Sequence, residues 1–144
     1  MECLLLFSPT VKAADWFVSL ALRLGLAYVF VTFGCEKVAD WRGWTPMLSG
    51  PWTQWIVAWT GVPLATFLRM LGYGEIVLGL HLALGFCTRT ASALAVALLA
   101  TVVVVMGRTG IGVRDVGLLA AAIALVCAGG GAFALDAFTS ERAP

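Results

Sequence analysis

PLATFLRMLGYGEIVLGLHLALGFCTRTASALAVALLATVVVVM, residues 63–106, decides the fold. From Pro63 to about Phe86, and again from Thr90 to Met106, the chain is apolar with few charges. A helix needs about 20 mainly apolar residues to cross about 30 Å of hydrocarbon, and each run approaches that length. Pro63 suits a first helical turn, where its missing N–H costs nothing. Cys87-Thr88-Arg89 leaves room only for a tight turn, so the two helices are antiparallel neighbours. The runs are long and do not alternate with period two, which excludes a membrane barrel.

Working outward, WFVSLALRLGLAYVFVTFG (residues 16–34) is a further span with Asp15 placed to cap its start. Downstream, the loop GRTGIGVRD leads to a last span from Val116 to about Leu135, with Asp115 close to its positive end. Gly129-Gly130-Gly131 near its close either admits another helix or stops this one. The 144 residues are 61% hydrophobic and 12% charged, whereas a soluble domain is about a quarter charged. The expected fold is all-α, one membrane domain over residues 1–144. It is an integral membrane four-helix bundle, antiparallel up-down-up-down, with spans at about 16–34, 63–86, 90–106 and 116–135. Its expected place is the cell inner (plasma) membrane, as a multi-pass protein in contact with lipid.

Between the first two spans lies a polar stretch holding five of the six Trp, at Trp41, Trp44, Trp52, Trp55 and Trp59. Trp gathers at membrane interfaces rather than in hydrocarbon. Trp52, Trp55 and Trp59 follow i, i+3, i+7 spacing, so PWTQWIVAW is expected as a short interfacial helix, a lid and not a span.

Nine Lys and Arg against eight Asp and Glu give a net charge of +1, with no basic stripe, so nucleic acid is not expected as a partner. Cys3, Cys35, Cys87 and Cys127 form no C-x-x-C pair and read as small core residues, not a zinc site or a disulfide framework. Glu2 and the short run Leu4 to Phe7 do not make a cleaved targeting segment, and no lipidation motif is expected. The glycines at 107, 110, 112 and 117 lack G-x-G-x-x-G spacing and read as a turn. A single His at mid-membrane position gives neither a hydrolase triad nor an imidazole metal site.

Ionisable groups in hydrocarbon cost roughly 2.5–3.5 kcal/mol each on insertion scales, so each needs a partner or a function. Arg23, Glu75 and His81 are the ones to explain. Arg23, Ala27, Phe30, Gly34 and Lys37 form one helical stripe, which faces protein. Gly72, Glu75 and Gly79 give the acid a groove of small residues. Counted from the starts of their helices, Arg23 and Glu75 lie at comparable depth. They are expected either as a structural ion pair pinning two helices or as part of a polar pocket, with Lys37 and Tyr73, for a quinone-like or small anionic ligand. His81 lies about 120° from Glu75 round the helix and reads as a hydrogen-bonded interior histidine, with a ligand role the sharper alternative.

Arg23-Leu-Gly25 with Gly34-Cys-Glu-Lys37, then GYGEIVLGL with LGFCTRTA, then GGGAFALD resemble, in order and spacing from about Trp16 to Asp136, the DoxX family of small four-helix membrane proteins. That family includes the membrane subunit of a thiosulfate:quinone oxidoreductase. The resemblance implies a membrane subunit of an oxidoreductase complex that anchors a redox partner and contributes to a quinone-binding pocket. Such a chain is not catalytic alone. The cofactor implied is a quinone, with no metal or flavin on this chain, and the partners are other subunits of a membrane complex. The alternative is a non-catalytic scaffold, assembly factor or chaperone.

Overall fold

The computed structural model describes residues 9–48, 50–131 and 133–140. Among them the chain forms seven helices and no strand: α1 (Pro9–Ala39), α2 (Trp41–Leu48), α3 (Pro51–Thr60), α4 (Leu64–Leu84), α5 (Thr88–Met106), α6 (Gly110–Ala128) and α7 (Leu135–Ser140). Four contain stretches long and apolar enough to cross a membrane: Trp16–Ala39 of α1, and all of α4, α5 and α6. The protein is therefore a multi-pass membrane protein, with the expected spans present and their ends moved.

Local chemistry explains each move. Asp15 lies inside α1, not at its cap. α6 begins at Gly110, because Thr109 is extended and its Oγ accepts the Gly112 N–H at 3.3 Å, capping the helix there. Asp115 consequently sits within the helix, buried and paired with its neighbour Arg114 at 2.7 Å. α6 stops at Ala128, short of the expected Leu135, since Gly129 takes φ 77 and turns the chain away. α4 ends where Gly85, at φ +69, lets Phe86 N–H reach the His81 carbonyl (3.1 Å) while its own N–H reaches that of Leu82 (3.3 Å). This paired closure needs a left-handed residue, which glycine supplies without steric cost. The turn thus occupies residues 85–87, and Thr88 already begins α5.

Two compact units divide the chain: Met1–Ala27 with His81–Pro144, and Tyr28–Leu80. In the first, α5 and α6 pack as a helical hairpin over a core that includes Leu26, Leu82, Ala95, Leu99, Ala122 and Leu125. In the second, α1 meets α4 at two glycines. A Cβ on Gly34 would stand 2.7 Å from the Gly72 carbonyl oxygen, and one on Gly72 2.8 Å from that of Gly34, so neither position tolerates a side chain at this separation.

Outward-facing residues such as Phe17, Tyr28, Leu80, Leu94 and Val104 are large, apolar and exposed, as lipid contact requires. The cysteines correct one expectation. Cys35, Cys87 and Cys127 are exposed rather than core residues, because the buried faces are taken mainly by Leu and Ala with a few hydroxyl and charged groups; Cys3 lies outside the described residues. PWTQWIVAW forms α3, on which Trp55 and Trp59 stack at 6.0 Å, both exposed. The Trp52 side chain lies outside the described residues.

Candidate functional site

The stripe on α1 is buried throughout, at Arg23, Ala27, Phe30, Gly34 and Lys37. Its two cations, however, serve different assemblies, one in each unit.

In the first unit Arg23 is 1% exposed and spends its guanidinium on backbone. Nε donates to the Leu82 carbonyl at 2.9 Å, Nη2 to that of Ala83 at 2.8 Å, and Nη1 to that of Gly130 at 2.9 Å. One turn earlier on α1, Ser19 Oγ donates to the Gly129 carbonyl at 2.6 Å. The last carbonyls of a helix have no partner within it and carry the negative end of its dipole. Arg23 and Ser19 supply donors at the closing ends of α4 and α6.

Asp136 closes the other side of the same turn. Its carboxylate accepts the Cys87 N–H and the Thr88 N–H, each at 2.7 Å, while its own N–H donates to the Gly85 carbonyl at 3.1 Å. Those amides open α5, where a negative charge is favoured. The turn between α4 and α5 is therefore held by a cation on one side and an anion on the other. Burial alone pushes the Asp136 carboxyl up. Its bonds from the Thr88 and Cys87 amides, the nearby Thr88 hydroxyl and the Arg23 charge outweigh this and hold it below the usual carboxylate range.

The sign follows from that depression. A carboxylate whose pKa is lowered by folding stabilises the protein above its unfolded pKa, and that stability is lost as pH falls through the lowered folded value. Thermal unfolding should therefore show a decline below about pH 4 that Asp136→Asn flattens. An unchanged acid limb in the variant would show that the clamp does not depend on this charge.

The expected pairing of Arg23 with Glu75 is corrected. Each finds its partner inside its own unit, and that of Glu75 is Lys37. In the second unit Lys37 Nζ donates to Glu75 Oε2 at 2.7 Å and to Oε1 at 3.0 Å, both side chains buried. Each lies three residues beyond the glycine at which its helix makes closest approach, Gly34 or Gly72, so the crossing sets the pair. Trp44 of α2 lays its ring 4.0 Å from the ammonium, and Phe33 lies 5.8 Å away. The two rings meet edge to face at 5.6 Å. A desolvated cation over Trp is worth about 2 kcal/mol.

The other candidates fall elsewhere. Tyr73 is 58% exposed, because two residues along a helix put it nearly opposite Glu75. His81 is half-buried and its ring tilts against Phe86 at 5.8 Å, part of the close of α4. Among the described residues no group of three His, Cys, Asp or Glu is arranged to hold a metal ion.

Chemically, the second assembly offers a buried ammonium with hydrogen-bond donors, a buried carboxylate, and a half-buried aromatic face over them. The first offers donors already committed to carbonyls. Comparison with known proteins adds one match: the family model described as DoxX covers residues 18–108, more than half of the chain. No curated protein and no solved structure matches significantly.

Proposed function

The chain belongs to the DoxX family, and from that premise we propose that it is a membrane subunit of an oxidoreductase complex whose Lys37, Glu75 and Trp44 form the polar end of a quinone-binding pocket. The observation carrying this reading is a buried ion pair covered by an indole ring. A quinone head group needs a donor to its carbonyl oxygen, a proton source as it is reduced, and a flat apolar surface. Lys37, Glu75 and Trp44 are of those three types. Electrons come from the partner subunit, and this chain holds the quinone. In this reading the four spans form an antiparallel up-down-up-down bundle in the cell inner (plasma) membrane. Trp41, Trp44, Trp52, Trp55 and Trp59 lie toward the interface where a soluble partner docks.

The test is binding of a quinone analogue to the reconstituted chain. Trp44→Leu, which leaves the ion pair in place, should weaken it about tenfold, the equivalent of 1.4 kcal/mol. Glu75→Gln should do at least as much. Analogue affinity unchanged in both variants would end the quinone reading. Purification in mild detergent should also bring down a subunit carrying flavin, haem or iron–sulfur.

A second reading, a non-catalytic scaffold or assembly factor, is favoured by the commitment of Arg23 to three carbonyls and by the mutual pairing of Lys37 and Glu75. It expects the reversed pair, Lys37→Glu with Glu75→Lys, to restore folding and function together. The quinone reading expects that double variant to fold and yet to lose analogue binding, since donor and acid have changed places.

A further inference from the structure

α5 buries Thr88, Ala91, Ser92, Ala95 and Leu99 along one face. Two of these carry hydroxyls one turn apart, and both side chains are shut away from the outside. Among the described residues neither Thr88 Oγ1 nor Ser92 Oγ has a hydrogen-bond partner; Thr88 Oγ1 faces the Asp136 carboxylate without completing a bond to it. Two hydroxyls elsewhere have partners. Ser19 reaches the Gly129 carbonyl, and Thr101 donates to the Ala97 carbonyl four residues back at 2.9 Å. Ser92 leaves that option on its own helix unused.

A buried hydroxyl without a partner is costly, and membrane interiors offer no solvent to repair it. Side chains at i and i+4 have Cβ atoms about 5–6 Å apart, and an O–H···O bond is about 2.7–2.8 Å long, so a single oxygen atom between two such hydroxyls can bond both. We propose that α5 holds one internal water molecule, which donates to Thr88 Oγ1 and accepts from Ser92 Oγ. The occupant is small because both hydroxyl oxygens are enclosed, and neutral because Asp136, the charged group near Thr88, is already answered by two amides and the Arg23 charge. Buried waters of this kind bridge polar groups that packing leaves unmatched. Here the water ties the interior of α5 to the residue whose amide anchors Asp136. This inference does not depend on the quinone reading.

A double-mutant cycle in detergent tests it, with Thr88→Val, Ser92→Ala and both together, read as Tm. If one water serves both hydroxyls, each single change lowers Tm by about 3 °C, and the double variant falls no further than the worse single. Single variants that unfold at or above the parent temperature would overturn the proposal, because the hydroxyls would then stand unbonded. Losses that simply add would overturn it too, because each hydroxyl would have its own partner. Thr88→Ser, which keeps the hydroxyl and disturbs the turn least, should preserve the coupling to Ser92→Ala and covers a Thr88→Val chain that fails to fold. An experimental map at about 2 Å supplies the direct view. A lone spherical peak between the two oxygens is the expected result, and elongated density would assign the place to an organic molecule instead.

Discussion

Arg23→Met should leave little correctly folded protein in detergent extracts, and what survives should unfold far below the parent temperature. The Ala83 and Gly130 carbonyls lose this donor outright, and that of Leu82 keeps only the Gly85 N–H at 3.3 Å. A buried acceptor without a partner costs about 1–3 kcal/mol, so the combined loss approaches the lower end of the roughly 5–15 kcal/mol by which whole domains are stable. Asp136 also loses the positive charge that helps keep it ionised. Arg23→Lys should fall between the two, since an ammonium is a point charge that does not reproduce the guanidinium's planar fork. Yield of monodisperse protein on size exclusion, with Tm, measures the series. A methionine variant unfolding within a few degrees of the parent would show that the carbonyls do not need the guanidinium.

Gly85→Ala carries the second large effect, and a comparison isolates its cause. Gly85 and Gly61 both take positive φ, at +69 and +67, and Gly61 is left-handed with open space around it. An added Cβ at Gly61 meets nothing within 4 Å, so alanine there costs only the conformational penalty, about 1 kcal/mol. At Gly85 the same atom would stand 2.5 Å from Arg23 Nη2, 2.6 Å from Arg23 Cζ and 2.7 Å from the Ala134 Cα. Neither the clamped guanidinium nor backbone moves aside cheaply, so Gly85→Ala should cost at least about 3 kcal/mol, in the range of severe core lesions. Thermal unfolding of both variants decides the matter. Equal shifts at the two glycines would mean that backbone conformation alone, and not the crowding around Arg23, sets the cost.

The spans were readable in the sequence because membrane crossing imposes length and apolar composition directly on the chain. The buried stripe from Arg23 to Lys37 was readable for the same kind of reason, a fixed helical period. Charge pairing was not. Arg23 and Glu75 have opposite charges and comparable depth, but the partners of Arg23 are backbone carbonyls, which no residue type announces. Lys37 was legible only as a pocket candidate on that stripe, and it is the Gly34–Gly72 crossing that makes it the ion-pair partner of Glu75. Asp136 is 48 residues from the Thr88 amide it binds, and Gly85 gains its meaning only from a φ angle and a distant arginine. Trp44 was legible as an interfacial residue, while its place over an ammonium depended on α2, a helix whose eight residues contain Pro46.

The reach of Arg23 along the chain also bears on how the protein is made. Its guanidinium enters the bilayer with α1, yet one of its acceptors, Gly130, follows 107 residues later. Until α4 emerges this arginine has none of its final carbonyls, and the full set comes together only after α6 is complete. The nascent first helix must meanwhile ride shallow, with its arginine stretched toward the headgroups, or shelter against the insertion machinery. Deep seating of that helix is then a late event in biogenesis, timed by the ribosome's arrival at three consecutive glycines.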